Sequence, residues 1–370
     1  MCLQVIIAMR ASGWVAIGIL LGAFVVPSSA SPAALPSFSW DTVPVFFETS
    51  NVTGPFDEAA MSTMARAGLV VLEKAYDFPA PGFAEDKLLG VVDGLRSARP
   101  SSLPRQSVVF YYNTNLDCPD YRLHAEMAAH SPAWWVQNPT TRAVVREHQD
   151  SGAGADPPFP YPYTCVFEHR NAAVRQAWVN ECLNMTQRGF DGCMVDRWTR
   201  TPKAFKGQLS AGEVDQWVAG RDNATASLTG AMRQRGKWLV GSLSADAVSM
   251  PGFQGKPDSV RAQLQAAAAG KGVLASAQPG TWKRPASDLE RQLAGFLVAA
   301  GVNHFFGGGS WTVNSTSREG VHWYPEYDRP LGAPLGPAAV NGTVLTRRFA
   351  SGTVARYDTS SGDGSIVWAS

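Results

Sequence analysis

The sequence predicts an α/β fold: a (β/α)8 TIM-type barrel with a small C-terminal antiparallel β appendage. Three observations predict it. Short, nearly continuous apolar runs recur between Val43 and Phe306, and such runs mark parallel strands covered on both faces. The segments between them are long enough for crossover helices. After Gly309 the texture changes to short strand candidates separated by turns. Alternating strand and helix implies a parallel α/β sheet, and a closed barrel is the first choice. A doubly wound sheet is second, but no G-x-G-x-x-G follows the first strand, which argues against its dinucleotide-binding form.

The elements follow in order. VPVFF (Val43–Phe47) reads as a buried strand ending at Glu48. Phe56–Arg66 is helix-like, with acids in its first turn. GLVVL (Gly68–Leu72) is a second strand, followed by Glu73 and Lys74, and SVVFYY (Ser107–Tyr112) a third, followed by Asn113. The paired tryptophans Trp134 and Trp135 come next, then DSGAGADPPFPYPY (Asp150–Tyr163), a long surface loop of the kind that is usually functional or disordered. Val174, Trp178, Cys182 and Met185 lie on one helical face, and Gly189 stops that helix. Phe190–Val195 is a strand with Asp196 at its C-terminal end. Ser210 with Glu213 forms a capping box that opens a helix. Trp238–Leu243 is a strand leading to Asp246, Val260–Ala269 a helix, and Gly272–Ala277 a strand. Ser287 with Glu290 makes a second capping box, and Val302–Phe306 is the last barrel strand. That makes seven clear strands; an eighth is sought at Tyr163–Phe167 or elsewhere. Leu345–Phe349, Gly352–Tyr357 and Gly364–Trp368 form the appendage.

The ends and the composition bound the function. Gly13–Val26 is uncharged and apolar, and Ser28-Ser29-Ala30 fits a small-x-small cleavage site. Residues 1–30 therefore read as a secretory signal, 31–310 as the barrel and 311–370 as the appendage. The apolar run is short of the roughly 20 residues that a membrane span needs, so no integral span is expected once the signal is removed. Arg10 is the only charge in that segment, so 31 basic and 31 acidic residues remain of the chain's 32 and 31. That balance argues against nucleic acid as a partner. The expected location is secreted, extracellular or in an endomembrane lumen. Cys118, Cys165, Cys182 and Cys193 form an even set that suggests two disulfides with open connectivity; the alternative is that one or two of them are simply buried thiols. No C-x-x-C or H-E-x-x-H spacing points to a metal, and no cofactor is expected. Sequons begin at Asn51, Asn184, Asn223, Asn314 and Asn341, each a surface glycan candidate.

In such barrels the active site sits where strands end. The residues there include Glu48, Glu73, Asn113, Asp196, Arg197 and Asp246. Several carboxylates at one rim suit glycoside hydrolysis, in which one acid protonates the leaving oxygen and a second carboxylate attacks or activates water. Asp196 is the first catalytic candidate, Glu73 its partner and Asp246 the reserve. Glu48, Asn113, Trp134, Arg197, Trp198 and Trp311 are the substrate-binding candidates, the aromatics as platforms for sugar rings. Alternative roles stand beside these. Asp196 can cap a helix or pair with Arg197, Glu73 can pair with Lys74, Asp246 can be a solvated cap, and Asp191 is a structural turn residue.

RGFDGCMVDRW (Arg188–Trp198) resembles the G-[FV]-D-G-[apolar]3-D strand of glycoside-hydrolase-like barrels, including the hypothetical glycosyl hydrolase families. YPEYDRPLGAPLGPA (Tyr324–Ala338) and LTRRFASGTVARYD (Leu345–Asp358) resemble the P-L-G-x-P segment and R-x-F-x-x-G-x-V ending of those proteins, and VVLEKAYDF and AWWVQNP match similar stretches. The resemblance spans most of residues 43–368. It implies a barrel, a carbohydrate substrate and a catalytic aspartate at Asp196. The expected function is hydrolysis of glycosidic bonds in a poly- or oligosaccharide by a carboxylate pair. The alternative is a non-catalytic carbohydrate-binding or structural extracellular barrel protein.

Overall fold

The computed structural model describes residues 38–148, 160–161, 163–242, 244–251, 253, 255–277, 287–307 and 321–369. The proposed signal, Trp311 and Asn314 lie outside the described residues.

The chain enters the barrel through β1 (Val45–Thr49). Helix α1 (Glu58–Met64) follows, started by Asp57, whose carboxylate accepts the Ala60 amide at 2.7 Å. Then come β2 (Leu69–Leu72), α2 (Ala84–Ala98) and β3 (Ser107–Asn113). An excursion leaves the barrel at this point: β4 (Leu116–Asp117), α3 (Arg122–Ala129), β5 (Arg146–His148) and β6 (Tyr163–Val166). Its strands form a separate antiparallel sheet in the order β4-β6-β5. Helix α4 (Ala172–Arg188) returns the chain to β7 (Gly192–Asp196). Asn171 caps its start and Gly189, at φ +143°, stops it.

Helix α5 (Ala211–Gln234) opens on the expected capping box of Ser210 and Glu213. It leads to β8 (Trp238–Gly241), then β9 (Ala247–Pro251), α6 (Pro257–Ala268), β10 (Gly272–Ser276), α7 (Ser287–Ala299) and β11 (His304–Gly307). The eight barrel strands close in the order β1-β2-β3-β7-β8-β9-β10-β11, all parallel. The missing eighth strand is β9. Tyr163–Val166 is a strand, but it belongs to the excursion. Ala247–Pro251 escaped notice because a five-residue link, with no helix, separates it from β8.

The C-terminal appendage is a four-stranded antiparallel sheet of β12 (Ala339–Asn341), β13 (Val344–Arg348), β14 (Val354–Asp358) and β15 (Gly364–Val367). It packs on α7. Tyr357 lies against Gly295, where an added Cβ would meet its ring at 3.1 Å, and its hydroxyl donates to the Gly255 carbonyl at 2.5 Å. Glu290, expected in the second capping box, accepts the Ile366 amide of β15 at 3.0 Å.

Two apolar layers hold the barrel. Phe46, Leu69, Val71, Val109, Tyr111, Met194, Trp238, Val240, Ala247, Leu274 and Phe305 fill its interior. Their neighbours one residue along, such as Val45, Phe47, Val70 and Leu72, pack outward against the helices. This is the period of two that strands impose. One disulfide, Cys182–Cys193, ties α4 to β7, and Cys118 and Cys165 are free thiols. The expectation of two disulfides therefore fails for Cys118 and Cys165. Cys118 is buried beyond the end of β4, and Cys165 stands on β6 opposite Asp117. Asn184, Asn223 and Asn341 are exposed, as sequons require. Asn51 is not. Its amide donates to the Pro55 carbonyl at 2.8 Å and its Oδ1 accepts from Thr53, so the side chain is spent on a buried turn.

Candidate active site

The interior positions, continued toward the C-terminal ends of the strands, change from apolar to polar. Phe46 is followed two residues later by Glu48, Val71 by Glu73, Tyr111 by Asn113 and Met194 by Asp196. Four neighbouring strands thus aim a carboxyl or amide group into one mouth of the barrel. Asn113 and Asp196 are paired in register across β3 and β7.

Asp196 is half-buried and receives three hydrogen bonds from neutral donors. The Tyr111 hydroxyl donates to its Oδ2 at 2.9 Å, the Asn113 amide to the same oxygen at 3.4 Å, and the Arg197 backbone amide to its Oδ1 at 2.7 Å. Arg197 does not pair with it. The Arg197 guanidinium turns to Glu147 on β5, whose other oxygen accepts the Ala204 amide at 3.2 Å. Arg197 sits at φ +57°, a costly backbone state for a non-glycine residue and one that clusters at functional sites. Asn113 is itself fixed, since its Oδ1 accepts the amides of Asn115 and Leu116.

Glu48 and Glu73 are both buried and share a hydrogen bond between their carboxyl groups. Burial, and then the charge of Glu73, holds the Glu48 carboxyl well above the ordinary carboxylate range. Burial also raises Glu73, while the Lys74 ammonium, 3.0 Å from its Oε2, pulls it back down. The same ammonium lies 4.1 Å from the centre of the Tyr111 ring, face on. Burial opposes the charge on Lys74, but Glu73 and Asp196 outweigh it and hold the lysine above its ordinary value. Tyr111 therefore links the two halves of the cluster: Lys74 over its face, Asp196 at its hydroxyl.

The other candidates fall elsewhere. Asp246 immediately precedes β9, so it lies at the opposite, N-terminal end of the barrel. There it accepts the Leu239 amide at 3.2 Å and Arg233 at 3.4 Å. The reason is direction: the residue follows one strand in sequence but introduces the next in space. Trp198 is buried with its ring against Gly241, where a Cβ would come within 2.2 Å of it. Trp134 stands in the excursion, with its ring stacked on His130 at 4.0 Å, so one face is already occupied. Asp191 is structural, accepting the Val108 amide at 3.0 Å. Gly192 is required by close approach, since a Cβ there would lie 2.2 Å from the Trp238 carbonyl oxygen.

Tyr111 and Glu147 were not among the expected site residues, whereas Lys74 forms the ion pair with Glu73 that was weighed as an alternative. Tyr111 was accessible by counting back two from Asn113. Glu147 carried no signal, because the excursion's pairing is long-range. Among the described residues no cluster of histidine, cysteine, aspartate or glutamate is arranged to hold a metal ion.

The sequence profile described as hypothetical glycosyl hydrolase family 15 matches residues 101–353. The chain belongs to that family. The match includes Asp196 and begins after β2, so Glu48 and Glu73 precede it. No curated protein matches the chain. The galactosidase domain of the alpha-galactosidase-sucrose kinase AgaSK is similar in fold, with a TM-score of 0.50 at 11% identity, over 86% of this chain and 46% of that one. The glycoside hydrolase domain of PelA from Pseudomonas aeruginosa gives 0.43 at 14% identity, over 72% and 95%. Cyclic alpha-maltosyl-(1→6)-maltose hydrolase from Arthrobacter globiformis gives 0.44 at 12%, over 93% of both. The family and the closed barrel make this a glycoside hydrolase-like barrel protein.

Proposed function

We propose that this family member hydrolyses glycosidic bonds of a poly- or oligosaccharide, with Asp196 and the Glu48–Glu73 pair as its acid–base machinery. One observation carries the reading: three carboxyl groups from three barrel strands meet at one mouth in unequal environments. Glu48 is held toward the acid form by burial and by Glu73. Asp196 is half-buried and stabilised by Tyr111, Asn113 and the Arg197 amide. Carboxyl groups whose surroundings push their proton affinities apart are the requirement for paired acid and base roles.

In this reading Glu48 gives its proton to the glycosidic oxygen as the bond to the anomeric carbon breaks. The Lys74 ammonium, which contacts Glu73, offsets part of the charge left on Glu48. Asp196 either bonds to the anomeric carbon or takes a proton from the attacking water, and the anomeric form of the product distinguishes the two. The Tyr111 hydroxyl holds Asp196 in place. The disulfide and the apolar N-terminal run support a secreted or lumenal setting.

The test is hydrolysis of a panel of poly- and oligosaccharides by wild type and Asp196→Asn, scored as new reducing ends. Product from wild type that vanishes in a folded Asp196→Asn supports the assignment. Sugar binding retained by both, with no product from either, turns the reading to a binding protein on the same barrel.

A further inference from the structure

We propose that Lys74 is a positioning residue that holds Glu73 as the carboxylate and thereby leaves the shared proton on Glu48. The inference rests on the reading of this pair as the proton source. Two carboxyl groups in a buried hydrogen bond do not both ionise readily, and the nearest fixed charge decides which one keeps the proton. Lys74 approaches Glu73 directly, at 3.0 Å, and acts on Glu48 through its charge.

The contact between Glu73 and Lys74 is itself unusual. Successive residues of a strand point to opposite faces. Here β2 stops at Leu72, and the chain turns through Ala75 at φ +62°, so the two consecutive side chains meet. The turn is pinned from outside the strand. The Ala75 amide donates to Asp120 Oδ2 at 2.7 Å, and the Tyr161 hydroxyl donates to Asp120 Oδ1 at 2.7 Å. Two residues on, Asp77 sits at φ +48°, and its carbonyl accepts Lys87 Nζ at 2.7 Å. This strained stretch is what places a lysine over the Tyr111 ring and against the pair.

Among the described residues, titratable groups around the pair come from β7, β3 and the stretch beyond β4. Asp196 on β7 opposes a negative charge on both members. Tyr111 on β3 is pushed well above its ordinary range by burial and by Asp196, so it remains a neutral donor. Beyond β4, burial raises the Cys118 thiol and Asp120, and Tyr161 stays protonated for the same reason. Lys74 acts against these, lowering both Glu48 and Glu73.

The experiment is carbon-13 NMR titration of the full protein labelled at glutamate carboxyls, with Glu48→Gln and Glu73→Gln assigning the two signals. In wild type near neutral pH, Glu73 should give a carboxylate signal and Glu48 an acid signal. Lys74→Met should move the Glu73 midpoint up by about one to three pH units, and Lys74→Arg should leave it near wild type. An unmoved Glu73 midpoint in folded Lys74→Met overturns the proposal. So does a protonated Glu73 in neutral wild type, a measurement that needs no variant at position 74. Absence of hydrolysis by wild type would instead overturn the glycosidase reading and leave this titration standing.

Discussion

Among the described residues, two buried carboxyl pairs differ in what surrounds them. Glu48 and Glu73 lie at the barrel mouth, with Lys74 in direct contact and Asp196 nearby. Glu85 on α2 and Glu181 on α4 lie in the helix layer, where the Arg122 backbone amide donates to Glu85 Oε1 at 2.6 Å. Burial first, then Glu181, pushes Glu85 up to about 8, and burial raises Glu181 as well. A displaced proton affinity alone therefore does not mark an active site. Convergence on a strand-end mouth separates the first pair from the second, since further carboxylates lie within electrostatic reach of both.

The sharpest way to break this contrast is Asp196→Asn. It should lower hydrolysis by about 10³-fold with little change in melting temperature, measured on the best substrate of the screen. A marked loss of stability instead would make Asp196 a structural residue. Next, Glu48→Gln should lower activity by about 10²-fold or more, while Glu85→Gln should leave it unchanged; equal losses would erase the distinction between the pairs. Glu85→Gln should act on stability instead. The folded protein holds the Glu85 proton up to about 8, whereas the unfolded chain releases it near the ordinary value of 4.5. Over that window the folded state binds more protons, so stability falls as pH rises, by up to about 1.4 kcal/mol per pH unit for this group. Denaturant melts across the window should show a flatter dependence in the variant, and an unchanged slope would contradict the assignment. Smallest of all, Asp246→Ala should cost about 1–2 kcal/mol through loss of its bond to the Leu239 amide and leave hydrolysis intact. A large activity loss there would return Asp246 to the site.

Much of the barrel was legible because its strands are apolar on both faces. The runs at Val43, Gly68, Ser107, Phe190, Trp238, Gly272 and Val302 all became barrel strands, most with their ends shifted by a residue or two. Strand β9 was not legible. It follows β8 without the helix that marks the other crossovers. The cap at Ser210 behaved locally, as the sequence implied.

By itself, the sequence determined the parallel barrel, the antiparallel ending and the arrival of Asp196 at a strand terminus. These follow from local polarity and from the period of two, which short-range chemistry sets. Only the tertiary structure decided which carboxyls meet. Glu48 and Glu73 are 25 residues apart and Asp196 lies far beyond both, so their meeting depends on strand order and on which face each strand turns inward. The same closure sent Asp246 to the other end, buried Trp198 against Gly241, and gave Arg197 to Glu147. Burial then raised the proton affinity of Glu48, a property that no residue carries until the barrel removes it from water.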